Sequence, residues 1–303
     1  MTHELKNLED LHQQYMIDSL VSQKFSLDWG KWLPSLGEKM RPALRGELIF
    51  FLGDTGTGKT AVLQAIAKAA NPLPVLFMEM ELPGTLAYER FAAMHSGVDC
   101  KSIQADYKQS STHEDLERLR PYFEGLEHII VCDESRIDET ALSEIIEVDY
   151  PEKYGHKPVI VIVDYIGLMN SKGAKRYERI AQAAQELKRT AKATNTIIIC
   201  ASQVHRSGED GNTGEIGLHS ARNAGEIEES AGIVFGLMRG DDEDSNLLRV
   251  KCLKSTKDGG GHEVRCDFDG KTMRITERTY QTGTTEDWIP PDDDDDDITG
   301  PGF

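Results

Sequence analysis

Between Glu47 and Thr276 the chain alternates short, wholly apolar runs with longer stretches that repeat apolar residues every three or four positions. Leu48-Ile-Phe-Phe-Leu52 is too short for a helix and apolar at every position, the pattern of a strand buried on both faces. Val75–Met78, Ile129–Cys132, Val159–Val163 and Thr196–Ala201 read the same way. Between these runs, Thr60 to about Ala70 carries Val62, Ile66 and Ala69 on one helical face. Gly84–His95 is a second helix, and Tyr177–Thr194 a third, with Ile180, Ala184, Leu187 and Ala191 inward. Alternating strands and helices predict parallel pairing with crossover helices. Past residue 230 the rhythm changes. Gly232–Met238, Leu247–Leu253, Glu263–Phe268 and Thr272–Thr276 follow one another without helical stretches, and Asp269-Gly-Lys271 reads as a hairpin turn. The fold class is therefore α/β, a mostly parallel central sheet with C-terminal antiparallel β-ribbons. Upstream, residues 3–21 predict a helix through Leu5, Leu8, Leu11, Tyr15, Met16 and Leu20, an arm ahead of the core. The Pro, Gly and Asp content from about Thr279 predicts a disordered tail. The expected units are thus 1–22, 23–278 and 279–303.

The formal net charge of −18 is unevenly spread. Residues 279–303 hold eight acids (Glu286, Asp287 and Asp292 to Asp297) and neither Lys nor Arg, which leaves −10 on residues 1–278. So acidic a body does not attract nucleic acid with its whole surface; such contact requires a local basic lining, as in a pore. The five cysteines are odd in number, widely spaced and without a Cys-x-x-Cys pair, so they suggest buried thiols rather than zinc ligands or a disulfide framework. No apolar run approaches the roughly 20 residues of a membrane span, and the N-terminus lacks the basic start and apolar stretch of a secretory signal. A cytoplasmic location is expected.

Chemistry concentrates at the tips of the apolar runs. Gly53-Asp54-Thr55-Gly56-Thr57-Gly58-Lys59-Thr60 satisfies the pattern G-x-x-x-x-G-K-S/T, directly after a strand and before a helix. Glycines there let backbone N–H groups wrap phosphates, and the helix N-terminus adds its positive end. Lys59 is expected to reach the outer phosphates of ATP, and the Thr60 hydroxyl to bind Mg²⁺. Asp164 follows the fully apolar Val159–Val163 run, so it faces the ligand crevice at the carboxyl end of a central strand and is the second candidate for the Mg²⁺ shell. Hydrolysis also needs a group that orients or deprotonates water. Glu79 and Glu81 both end the Val75 strand, and being two apart they share a face if it continues, so spacing does not choose between them. Gln203 ends the Thr196 strand, where a neutral amide can feel a γ-phosphate.

Together these segments resemble the ATPase domain of DnaB-like replicative helicases, the RecA-like helicases of superfamily 4. The resemblance rests on Gly53–Thr60, Val75–Pro83, Val163–Met169, Ala201–Arg206 and Arg222–Glu229, in order along about residues 35–278. It implies a RecA-like P-loop NTPase core that hydrolyses ATP with Mg²⁺ between the subunits of a ring, expected to be hexameric, moving 5′→3′ on single-stranded DNA during replication. The family's water-activating Glu aligns with Glu81 rather than Glu79. Its strand-end Asp matches Asp164, and its γ-phosphate sensor matches Gln203. Arg222, Asn223 and Gly225 match a loop that grips DNA phosphates inside a central channel, and Gly-rich Ser207–Gly217 reads as a mobile loop entering it. A recombination ATPase of the RecA/RadA kind, or an ATP-switched loader that is no motor, are the alternative readings.

The resemblance is incomplete at one point. The family places a Lys-x-Arg pair on a late strand to complete the neighbouring subunit's site. Here the matching stretch offers only lysines, with Lys254 and Lys257 as candidates, and a lysine lacks the guanidinium fork. The N-terminal helix is similar to the family's linker helix. The last residues, Asp292 to Asp297 followed by Ile298-Thr-Gly-Pro-Gly-Phe303, are similar to the tips of bacterial single-stranded-DNA-binding proteins. That likeness makes Asp297, Ile298 and Phe303 a candidate docking motif for a primase, a polymerase or another replication protein.

Overall fold

Every one of the five apolar runs forms a strand whose partners lie parallel to it. In the computed structural model β1 is Leu48–Gly53, β2 Val75–Glu79, β3 Ile129–Cys132, β4 Ile160–Asp164 and β5 Ile197–Gln203. Four more strands follow: β6 Ile233–Arg239, β7 Leu247–Ser255, β8 Glu263–Asp269 and β9 Arg274–Glu277. All nine join one sheet in the order β3-β2-β4-β5-β1-β6-β7-β8-β9. The structure describes residues 26–278 apart from Arg136, Lys172, Ala174, 204–226 and Glu228, together with Asn7, Leu8, Glu9, His12, Gln13 and Met16. Most of the helix expected over 3–21, and all of the tail from 279, lie outside these residues.

The C-terminal strands extend the main sheet and run antiparallel from β7 to β9, as expected. One strand differs: β6, grouped by pattern with the antiparallel strands, pairs parallel to β1, and only its other edge is antiparallel, to β7. The residues between β5 and β6 are numerous enough for the crossover that a parallel neighbour requires.

Helices cover both faces of the parallel half. α1 (Lys59–Ala69) and α2 (Gly84–Ser96) close one face, and their apolar residues join Leu27, Trp29, Leu33 and Leu36 of the segment before β1. On that face Phe51 of β1 stacks on its register partner Phe235 of β6 at 4.7 Å, and Trp29 meets Phe235 edge-on at 5.2 Å. Each such ring contributes roughly 1.5–3 kcal/mol by leaving water. α3 (Cys100–Gln109) lies beside α2 and buries only Ile103 fully, too thin a stripe to register as periodicity. α4 (Arg176–Thr194) packs on the opposite face through Ile180, Ala184, Leu187 and Ala191, as its spacing predicts. A helical run over residues 139–154, with a π turn at Ile145–Asp149, joins α4 there. The consequence for chemistry is positional: the carboxyl ends of β1, β2, β4 and β5 open on one edge of the sheet.

Candidate active site

The loop between β1 and α1 folds around its own backbone. Thr57 donates its hydroxyl to the Asp54 carbonyl at 2.8 Å. The Lys59 ammonium donates to the carbonyls of Gly53 (3.1 Å) and Asp54 (2.7 Å). Two glycines are required by space and by angle. A Cβ on Gly53 would stand 2.5 Å from Thr57 Oγ1, and Gly58 holds φ at +93° with the Phe268 ring 3.2 Å from where its Cβ would be. The concave side of this loop forms part of a cleft of about 450 Å³.

That cleft gathers Lys59, Thr60, Glu79, Glu81, Asp164 and Gln203. Asp164 ends β4, directly in register with Glu79 at the end of β2. Both are buried, at 2% and 1% exposure, and each keeps one fully buried oxygen (Asp164 Oδ2, Glu79 Oε2) without a hydrogen-bond partner. Burial pushes Asp164 up to about 7, opposed by a hydrogen bond from the Thr60 hydroxyl and by Lys59, and assisted by Glu79 and Glu81. Glu79 is raised by burial too, while the N–H groups of Leu82 and Glu81 and the charge of Arg90 favour its ionised form. Lys59 is lowered by burial against the opposing pull of Asp164, Asp54 and Glu81. Buried carboxylate oxygens without donors, beside a hydroxyl and an ammonium, are a donor set suited to a hard cation with its phosphate.

The strand does not continue far enough for the two glutamates to share a face. β2 stops at Glu79, which turns inward, while Glu81 is exposed at the cleft's rim. Gln203 ends β5 beside Gly53 and donates its amide N–H to the Thr55 hydroxyl. Lys254 and Lys257 lie elsewhere. Lys254 is opposite Val234 at the start of β6, whereas Gly53 pairs with Leu237 further along, and neither lysine lines this chain's cleft. Arg222, Asn223, Gly225, Asp297, Ile298 and Phe303 lie outside the described residues, as does the expected Ser207–Gly217 loop.

Among the cleft residues that escape the pattern reading are Arg90, Phe268 and Met273. Arg90 carries a signal, since it falls three residues after buried Ala87 and so reaches the inward side of α2. Phe268 gives none, because it continues the alternating buried face of Val264 and Cys266 and reads as core. In the fold its ring closes over Gly58, with the Arg239 guanidinium 4.9 Å from its centroid.

A mostly parallel sheet with a phosphate-type loop at the tip of β1 and an acidic strand end two strands away is the architecture of the RecA-like ATPases. Residues 33–277 match the DnaB-like helicase C terminal domain, and the chain belongs to that family. It is 27% identical over 245 residues to the replicative DNA helicase DnaB of Mycoplasma genitalium, a match covering 75% of this chain and 51% of that protein. A probable plasmid replicative DNA helicase of Chlamydia trachomatis is 26% identical over 203 residues, covering 64% of this chain and 43% of the relative. The chain thus spans about half the length of the curated relatives it matches. Among solved structures, one ATPase domain superposes with a TM-score of 0.77 at 21% identity, covering 91% of this chain and 100% of that one. A DnaB-like replicative helicase, described with its interactions with primase, gives 0.73 at 20% identity, covering 90% of this chain and 67% of that one. Among the described residues no helix is long and apolar enough to cross a membrane.

Proposed function

We propose that this chain is an ATP-driven translocase on single-stranded DNA, a ring-forming replicative helicase of hexameric type acting 5′→3′. The observation that carries this reading is the cleft itself: Lys59, Thr60 and the buried, underpartnered Asp164 meet at strand tips within a domain that matches the family along its length. Thr60 and Asp164 would hold Mg²⁺, which would supply charge neutralisation to the phosphates of ATP. Lys59 and the backbone N–H groups of Gly53–Thr60 hold the phosphates. Glu81, at the rim, takes the proton of the attacking water, and Gln203 reports on the γ-phosphate. Lys254 and Lys257 stand away from this chain's own cleft, a placement that suits completion of a neighbouring copy's site.

The remaining parts of the reading rest on sequence. Residues 1–22 serve as a linker-like arm, 23–278 as the motor and 279–303 as an acidic tail. Arg222, Asn223 and Gly225 line the channel around the DNA. Asp297, Ile298 and Phe303 dock a primase, a polymerase or another replication protein. The test is an unwinding assay on forks with 5′ or 3′ single-stranded tails, run with wild type and Lys59→Ala. Wild type opens only the 5′-tailed fork, with turnover stimulated by single-stranded DNA, and Lys59→Ala opens neither. ATP turnover indifferent to DNA, with no strand opened, would sink the motor reading.

A further inference from the structure

Glu79 is a cleft residue to which the reading above gives no task. Its burial is unfavourable, because one carboxylate oxygen is kept from water without a donor. A bare requirement for a β-strand ending does not explain that cost. The explanation lies in the backbone donors that follow it. Met80 N–H still donates to the Asp164 carbonyl at 3.2 Å, the last step of the ladder. Glu81 N–H and Leu82 N–H both donate to Glu79 Oε1, each at 3.1 Å. Residue 83 is a proline without an N–H, and Gly84 N–H donates to Asp133 Oδ2 at 2.8 Å. Every backbone donor from 80 to 84 is therefore assigned, and two adjacent ones hang on a single oxygen of Glu79.

We propose that Glu79 is a positioning residue: its Oε1 anchors the two N–H groups at Glu81 and Leu82 and thereby fixes where the Glu81 carboxylate stands. The inference rests on the reading that Glu81 acts on the attacking water. Because Glu79 is inward and Glu81 outward, the turn between them is a lever one residue long. Freeing its two donors lets Glu81 drift, and a displacement of about 1 Å at a catalytic group can cost as much as 10²-fold in rate.

The full chain is compared with Glu79→Leu, Glu79→Gln and Glu81→Gln by phosphate release with single-stranded DNA present, by the Kd for a fluorescent ATP analogue and by thermal midpoint. Glu79→Leu, which removes the acceptor, is expected to lower kcat at least about tenfold with KM and Kd within about twofold. Glu79→Gln keeps an oxygen that accepts the same pair, and recovers kcat to within about threefold. Amide hydrogen exchange of the wild-type chain provides a readout that needs no variant: the Glu81 and Leu82 N–H groups are protected at least about tenfold relative to free peptide. Wild-type turnover in Glu79→Leu overturns the inference, and so does Glu79→Gln as slow as Glu79→Leu, or unprotected amides at 81 and 82. If Glu81→Gln turns over normally, the assignment of Glu81 fails and takes this inference with it. If Glu81→Gln is dead while Glu79→Leu is normal, only the positioning role is lost.

Discussion

In β4 every residue from Ile160 to Asp164 is buried, whereas in β8 buried and outward positions alternate from Glu263 to Asp269. Both strands belong to one sheet. The difference is what covers them. Helices α1 and α4 lie on opposite faces of the parallel half, so its strands are apolar throughout and polar groups survive only at their tips. The antiparallel half has one wet face, which carries pairs such as Arg249 with Glu263, bonded twice at 2.9 and 2.8 Å. Such half-exposed pairs contribute about 0–1 kcal/mol. One half supplies the charged side chains of the cleft at strand ends backed by helices, and the other supplies part of its wall, Phe268 and Met273.

That division of labour is open to measurement. The largest effect is expected at the centre of the parallel half. Phe77, fully buried and edge-on to Phe91 at 5.4 Å, should cost about 3–5 kcal/mol when changed to Ala, read as a shift in urea midpoint. A smaller effect of opposite sign is expected at its tip. Asp164 stands at about 7 against an ordinary 3.8 because it is buried. From about pH 4 to 7 the folded chain retains a proton that the unfolded chain has released, so stability falls as pH rises through that window. Asp164→Asn should therefore stabilise the nucleotide-free protein at pH 7.5, by no more than the about 4 kcal/mol that such a shift represents, and flatten the slope of thermal midpoint between pH 5 and 7.5. An unchanged slope would mean that the carboxylate is solvated after all. The smallest effect belongs to the antiparallel edge, where half-buried Ile275 of β9 should cost about 1 kcal/mol on change to Ala. Equal losses for Phe77 and Ile275 would erase the contrast between the halves.

The same contrast explains what can be read from the chain. Doubly buried strands announce themselves as apolar runs, so β1 to β5 are legible to within one or two residues, and Asp164 with them. The pairing of β6 is not legible, because its apolar run suits either direction and only the crossover decides. Helix α3 is silent, since one fully buried isoleucine makes no stripe. Glu79 and Glu81 are indistinguishable by spacing because the strand ends between them, and the turn that separates them is built by Glu79's own side chain. Phe268 and Met273 are brought to the P-loop from more than 200 positions away by sheet order alone. Local pattern does not carry sheet order.

The pairing of Gln203 with Gly53 across β5 and β1, together with the hydrogen bond its amide donates to the Thr55 hydroxyl, has a mechanical corollary. Strands lie about 4.8 Å apart, and that single interval separates Gly53, at the start of the loop, from Gln203 at the end of β5. A shift at Thr55 reaches the end of β5 through one side chain and one ladder rung. No relay of intermediate residues is needed, so Thr55 and Gln203 should move with one time constant.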